Sequence, residues 1–363
     1  MKQCTRCVMD SSDMDIVFDD SGVCSHCLNW DENLSRNYLP TDRQEQLANM
    51  VKSMKLHGKG RKYDAVIGLS GGIDSSYLAY IMVKKFNLRL LAVHVDGGWN
   101  SEVSVSNIEQ LTKSLGIDLY THVVNWGAMK RLQLAYLRSG VANQDVPQDH
   151  AFFVALYNYA AKNSIKYVLN GSNLATESVL PFSWGYRAMD SRNLKSIFKR
   201  HGEGNLKGYP TVGFIKYYIF FRMVKGMKVL KPLNLMEYNK DDAKKKLIDE
   251  IGYKDYGGKH HESRFTKWFQ SYYLVQKFGF DKRKAHLSSM ILSNTIKRNE
   301  ALLQLEKPAY VQGEIDKDTM YIAKKLGITI DELKRCMEGK NGHFSEFASN
   351  DILYRLYFKY FKG

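Results

Sequence analysis

Asp64-Ala65-Val66-Ile67-Gly68-Leu69-Ser70-Gly71-Gly72-Ile73-Asp74-Ser75-Ser76 is the stretch whose reading decides the fold. Its first half is a continuous apolar run of strand length, the pattern of a strand buried in a parallel sheet. Its second half breaks into two glycines and three serines. Beyond it Leu78, Ile81, Met82 and Phe86 recur at helical spacing, with Lys84 and Lys85 in the last turn, where positive charge suits the helix dipole. A second apolar run at 89–95 completes a strand-helix-strand unit, and 166–169 reads as a further strand. Helical patterns at 101–115, 126–139 and 151–163 alternate with these runs and predict a doubly wound α/β domain.

Working outward, three regions are expected. Residues 1–55 form a turn-rich, cysteine-bearing knuckle and a leading helix, 56–232 form the α/β domain, and 233–363 form a mostly helical region. Helices are expected there at 241–250, 264–278, 282–292, 295–305 and 317–326. The stretch 181–231 is aromatic and basic and gives no clear pattern. No fixed-period repeat and no low-complexity tract is found, which argues against a solenoid.

With 363 residues, 44% of them hydrophobic, there is material for a core that needs no disulfide staples. The formal charge of +15 points to an anionic partner: nucleic acid, a membrane surface or a phosphorylated small molecule. The polar start does not resemble a secretory signal and no run of about 18 apolar residues occurs. A cytoplasmic chain with no transmembrane segment is the expectation.

Cys4-Thr5-Arg6-Cys7 and Cys24-Ser25-His26-Cys27 are two paired-cysteine turns. In a reducing compartment such pairs point to metal, and four thiolates suit one tetrahedral zinc of a structural, closed kind. Cys336 stands apart from them.

The Ser70 to Ser76 loop follows a strand and opens a helix, where free backbone N–H groups and the positive dipole end meet an anion. Gly71 and Gly72 allow close approach, Ser70, Ser75 and Ser76 offer hydroxyls, and Asp74 is a magnesium partner or an N-cap. No Gly-Lys-Ser/Thr follows, so this is not a Walker loop. Asp96, in Val93-His94-Val95-Asp96-Gly97-Gly98-Trp99-Asn100, ends the second strand and is the next magnesium or nucleotide candidate, against a plain turn residue. His94 reads as a satisfied core histidine. Asn170-Gly171-Ser172-Asn173 ends the strand at 166–169 and is expected to line the same pocket, Gly171 included.

The loop resembles the pyrophosphate loop of the N-type ATP pyrophosphatases. The whole chain resembles the N-acetyl sugar amidotransferases of bacterial surface-polysaccharide (lipopolysaccharide O-antigen) and nonulosonic-acid pathways. That likeness rests on Cys4-x-x-Cys7-Val8-Met9-Asp10 with Cys24-x-x-Cys27, the Ser70 loop, 96–102, 148–155, Ala175-Thr176-Glu177 and Lys259-His260-His261-Glu262-Ser263-Arg264-Phe265. The resemblance implies an enzyme that uses ATP and Mg2+, holds Zn2+, and converts an acetamido group of a nucleotide sugar to an acetamidino group. Asp74, Ser75 and Asp96 would be catalytic, and Ser70, Gly71, Gly72, Ser76 and Gly171 would join them around the nucleotide. Glu177, Arg187, Lys259, His260, Glu262 and Arg264 would meet the sugar nucleotide. The bland readings are a solvated helix entrance for 259–264 and ordinary aromatic packing for Trp184 and Tyr186. The likeness also implies ammonia from a partner glutaminase resembling that of imidazole glycerol phosphate synthase, with a cyclase-like companion, and no nucleic acid.

Two rival classes remain: a tRNA-thiolating or lysidine-type enzyme, and a non-enzymatic zinc-ribbon protein that binds nucleic acid. Thiolation conflicts with the cysteine count once four thiolates are committed to zinc. Near the C-terminus Leu353, Leu356, Tyr357, Tyr360 and Phe361 share a helical face, expected to dock on the core rather than on a membrane.

Overall fold

Five parallel strands, β1 (Ala65–Gly68), β2 (Leu90–Asp96), β3 (Asp118–Val123), β4 (Tyr167–Leu169) and β5 (Lys228–Leu230), form one sheet in the order β3-β2-β1-β4-β5. The structure is a computed structural model and describes residues 1–257 and 262–361. Side chains alternate across the sheet, so the central strands β1, β2 and β4 feed two cores. Ala65, Ile67, Ala92 and Leu169 pack with the helices Arg43–Gly58, Ile73–Lys84 and Glu102–Leu115. Val66, Val93 and Val168 pack with Trp126–Ser139 and Val146–Lys162 on the other face. Burial on both faces is why β1 and β2 read as unbroken apolar runs, and the doubly wound expectation is met.

The edge strands β3 and β5 escape that reading for a physical reason. Only one face and one side of an edge strand are covered, and Asp-Leu-Tyr-Thr-His-Val in β3 alternates between exposed and half-buried positions. In the helical half, Lys282–Leu292 falls where expected, and 264–278 is one helix interrupted by a π turn at Phe269–Tyr273. Helices Ser191–His201 and Ile215–Val224, the latter π-helical, occupy the segment that gave no pattern.

Residue 233, expected to open a separate helical region, belongs by packing to the sheet. Leu233, Leu235, Tyr238, Ala243, Leu247 and Tyr253 share the core beneath the helix Ile73–Lys84. A third core joins the cysteine knuckle to the helices beyond residue 264 and encloses Trp99, Trp184, Trp268 and Tyr273.

The C-terminal helix Asp351–Phe361 docks by a different face from the one expected. Tyr354 is buried, and Tyr357 and Phe358 pack beside it, against Phe214 and Tyr218. Leu353, Leu356 and Tyr360 remain 43%, 48% and 67% exposed. Apolar residues occupy most of this helix's circumference, and the aromatic slot offered by Phe214 and Tyr218 selects the side richest in rings.

Asp64 anchors the sheet's entry. It is buried, and its carboxylate accepts from the Arg89 backbone N–H at 2.8 Å as well as from the guanidinium, tying the start of β1 to that of β2. Asp64→Ala is expected to lower the unfolding midpoint, because the Arg89 main-chain N–H at the sheet's entry loses its acceptor. Chemical denaturation measures it, and a wild-type midpoint would show the pair to be dispensable.

Candidate functional site

In the order β3-β2-β1-β4-β5 the chain winds one way from β1 to β2 and β3, and the other way to β4 and β5. The crevice beyond the carboxyl ends of β1 and β4 is therefore where an open α/β sheet binds ligands. Ser70 to Ser76 leave β1 there, and Asn170 to Asn173 leave β4.

The helix Ile73–Lys84 has Gly72 as N-cap and no side-chain cap. Its Ile73 N–H donates to Tyr256 Oη at 3.3 Å, while the N–H groups of Asp74 and Ser75 have no partner among the described residues. Ser76 Oγ is buried and likewise unpartnered. Unsatisfied donors in the first turn of an uncapped helix make a receptor for anionic oxygens.

Two glycines keep that cradle open. Gly71 has φ +81°, and a Cβ on it would lie 2.5 Å from the carbonyl oxygen of Ser104. A Cβ on Gly171 would lie 2.9 Å from Ser75 N and 3.0 Å from the Asp74 carbonyl carbon. The loop after β4 thus presses directly on the turn after β1.

Hydroxyls and phenols brace the loop from within and above. Ser70 Oγ accepts from Gly72 N–H at 3.2 Å and donates to Glu262 Oε1 at 3.4 Å. Ser75 Oγ donates to Gly72 O, Tyr253 Oη donates to Gly71 O at 2.8 Å, and Tyr238 Oη donates to Asp74 Oδ1. Burial first, then the negative charge of Asp74, drives the Tyr238 phenol far above its ordinary range, so it stays a donor. Burial and then Glu262 do the same for Tyr256. These three tyrosines escaped the sequence reading because they sit in the loops flanking the helix Lys240–Ile251 and belong to no motif.

Asp96 closes the neighbouring strand end. Its Oδ1 accepts from Gly98 N–H at 2.7 Å and from Asn100 Nδ2 at 3.3 Å, which leaves Oδ2 for a cation or a ligand hydroxyl. His94 is the satisfied core histidine expected: Nδ1–H donates to Leu69 O at 2.9 Å and Nε2 accepts from Asn100. The His94–Asn100 pair could not be found from spacing alone.

The C-terminal segment is built onto this loop. Asn100 and Ser263 form an antiparallel bridge, Ser101 N–H donates to Glu262 O, and Arg264 N–H donates to Trp99 O. Trp99 is buried between Phe265 and Trp126, and Lys325 donates to Gly98 O.

Of the expected substrate contacts, Glu262 touches the loop, and Glu177 lies near enough to Tyr238 to help raise its pKa. Arg264 is committed elsewhere, bonded to Asp318 at 2.6 Å and stacked 3.8 Å over the Tyr321 ring. Arg187 lies between the rings of Tyr354 and Phe358. Lys259 and His260 lie outside the described residues. Trp184 is core, stacked on Phe280, while Tyr186 stacks on Phe344 beside a cavity of about 530 Å³.

In the N-terminal knuckle, Cys4, Cys7, Cys24 and Cys27 are all buried with their sulfurs within 4.8 Å of one another. The Cys4–Cys27, Cys7–Cys24 and Cys24–Cys27 separations are 3.8, 3.6 and 3.6 Å. A tetrahedron of Zn–S bonds of about 2.3 Å has edges of about 3.8 Å, so the donor set fits that ion. Hydrogen bonding with Cys7, aided by backbone N–H groups and opposed by burial, lowers the Cys4 thiol below its ordinary range.

Comparison with known proteins agrees with this anatomy. The NAD synthase family matches residues 43–209, and the family described as "LPS biosynthesis protein WbpG-like, C-terminal domain" matches 262–361. A glutamine-hydrolyzing GMP synthase of Pyrobaculum aerophilum is 26% identical over 167 residues, 46% of this chain and 30% of that protein. An uncharacterized protein of Methanocaldococcus jannaschii is 27% identical over 121 residues, 32% of this chain and 41% of its own length. The chain thus spans well under half of either curated relative. The NH3-dependent NAD synthetase of Campylobacter jejuni aligns over 58% of this chain and 84% of its own, at 16% identity and a TM-score of 0.30. The chain accordingly carries a nucleotide-binding domain of the pyrophosphate-loop ATP pyrophosphatase type, joined to a segment like one from lipopolysaccharide biosynthesis.

Gly171→Ala is expected to weaken ATP binding at least about tenfold and to lower the unfolding midpoint, because the added methyl meets the main chain of Asp74 and Ser75 and displaces its donors. Titration calorimetry reads it, and unchanged affinity would show that the cradle does not depend on this contact.

Proposed function

We propose that the protein is an ATP-dependent amidotransferase that turns an acetamido group of a nucleotide sugar into an acetamidino group, releasing AMP and pyrophosphate. The observation that carries the reading is the hydrogen bond from Ser70, first residue of the phosphate loop, to Glu262, first residue of the segment like the lipopolysaccharide biosynthesis family. The two matched parts meet at the anion cradle, so an activated phosphate and a sugar-pathway substrate would share one site.

An amide oxygen is a poor leaving group. In the proposed reaction it attacks the α-phosphorus of ATP, the bond to pyrophosphate breaks, and an adenylyl imidate results. Ammonia then adds to the imidate carbon, the carbon–oxygen bond to AMP breaks, and loss of a proton leaves the amidine. The N–H groups of Asp74 and Ser75 and the hydroxyls of Ser70, Ser75 and Ser76 would hold the departing pyrophosphate. Asp74 and Asp96 each bond through Oδ1, and their Oδ2 atoms would hold Mg2+, which neutralises pyrophosphate charge. Glu262 and Glu177 would meet the sugar or take up a proton.

Ammonia from a partner glutaminase accords with the chain's cysteines. Four are gathered in the knuckle, and burial pushes the thiol of Cys336 up, away from the thiolate a glutaminase nucleophile needs. The same commitment of cysteines counts against sulfur transfer to tRNA. The GMP synthase relative is by its name glutamine-hydrolyzing, and a glutaminase resembling that of imidazole glycerol phosphate synthase, with a cyclase-like companion, is the proposed supplier here.

Purified protein given ATP, magnesium, ammonium and a panel of acetamido nucleotide sugars is expected to yield AMP, pyrophosphate and a sugar lighter by about 1 Da, with glutamine alone inactive as nitrogen source. Asp74→Ala should lower turnover at least about 100-fold while circular dichroism stays unchanged. ADP as the product would overturn the reading.

The knuckle is proposed to hold one structural Zn2+. Elemental analysis should find one equivalent per chain, and Cys24→Ser should lose it and unfold at lower temperature. Metal-free protein of wild-type stability would refute the assignment.

A further inference from the structure

Two neighbouring helices carry apolar side chains away from the protein. In Ile215–Val224 the i→i+5 winding aligns residues four and five apart, so Tyr217, Tyr218 and Phe221 face the core while Ile215, Ile219, Phe220, Met223 and Val224 face out. Beside it Asp351–Phe361 buries Tyr354 and leaves Ile352, Leu353, Leu356 and Tyr360 outward. Phe214 and Tyr218 join the two helices through Tyr354 and Tyr357. Isolated exposed apolar residues need no explanation, but two adjacent strips of them do.

Positive charge accompanies the strips. From Gly204 to Met236 the sequence has no carboxylate, yet it holds Lys216, Lys225, Lys228 and Lys231, all exposed. Lys225 lies over the Phe220 ring and Lys359 over Tyr360, at 5.6 and 5.4 Å, so their stems run along the apolar surface with the ammonium at its rim. The single acid of the outer helix, Asp351, is paired with Arg355 at 2.7 Å.

We propose that this face lies on an anionic lipid surface, with the outward apolar residues among the acyl chains and the lysines among the headgroups. A second copy of the chain fits poorly, since a self-complementary contact would set lysines against lysines. Negatively charged lipid accepts hydrocarbon and cations together. No described helix is long and apolar enough to cross a membrane, so the contact is one of lying on the surface rather than spanning it.

Sedimentation with vesicles tests this. Binding is expected to phosphatidylcholine vesicles containing about one third phosphatidylglycerol, at least about tenfold weaker to phosphatidylcholine alone, and reduced by high salt. Ile219→Glu with Phe220→Glu should weaken binding at least about tenfold at unchanged unfolding temperature. Should that pair disturb folding, Lys216→Glu with Lys225→Glu provides the same readout from the rim. Absence of binding to the anionic vesicles, equal binding to neutral ones, or wild-type binding by either variant would overturn the proposal. So would light scattering showing a dimer, or co-purification with a glutaminase, that the Ile219 and Phe220 substitutions abolish.

Discussion

An uncapped helix start is the constraint around which the rest of this protein is arranged. Most helices satisfy their first N–H groups with a serine, threonine or acid at the N-cap, and here Ser101, Asn125, Asn173 and Asp190 do so for neighbouring helices. Gly72 cannot. The donors of Asp74 and Ser75 stay open to the crevice, at a cost of roughly a few tenths of a kcal/mol in helix stability, and can meet an anion there. Holding such a turn still without capping it falls to Gly71 against Ser104, Gly171 against Ser75, and the tyrosines overhead.

The same demand explains why the C-terminal segment is not an independent attachment. Glu262, Ser263 and Arg264 complete the loop after β2 by main-chain bonds, and Trp99 at the tip of that loop is the buried hub of their core. Asp96 and His94 hold the root of the loop through Asn100. Displacing the segment would therefore disturb both strand ends that face the crevice.

How far this was legible follows from which physics each part obeys. β1, the glycine loop and the helix after it were readable because burial on both faces and a dipole-end anion site each leave a local signature. β3 and β5 were not, since an edge strand such as Asp118–Val123 has no run of buried residues. Tyr238, Tyr253 and Tyr256 were invisible because their function is to reach a loop more than 160 residues earlier in the chain. What Arg264 does in the fold was hidden for a similar reason: its partner Asp318 lies 54 residues further on. The C-terminal helix had too many apolar residues for spacing to choose its buried side, and only the shape of the slot at Phe214 and Tyr218 decided it.

The cysteine knuckle, although remote from the crevice in sequence, is mechanically continuous with it. Arg298 donates to the carbonyls of Cys4 and Cys7, Lys284 binds Asp10, and Ser288 accepts from Val8 N–H, so the knuckle grips the helix Lys282–Leu292 and its successor. That helix in turn holds the turn Leu174–Glu177: His286 donates to Thr176 O at 3.1 Å, Ser293 to Ala175 O at 3.1 Å, and Ser289 accepts from Val179 N–H at 2.9 Å. Glu177 then lies beside Tyr238, which donates to Asp74. The bonds made by Arg298, Ser288, His286, Ser289 and Ser293 are to main-chain groups, which fixes position rather than merely filling space. A four-thiolate site offers no open coordination position for chemistry. The main-chain bonds of the knuckle stiffen one end of this chain of contacts, and the Tyr238–Asp74 pair on the loop after β1 forms the other.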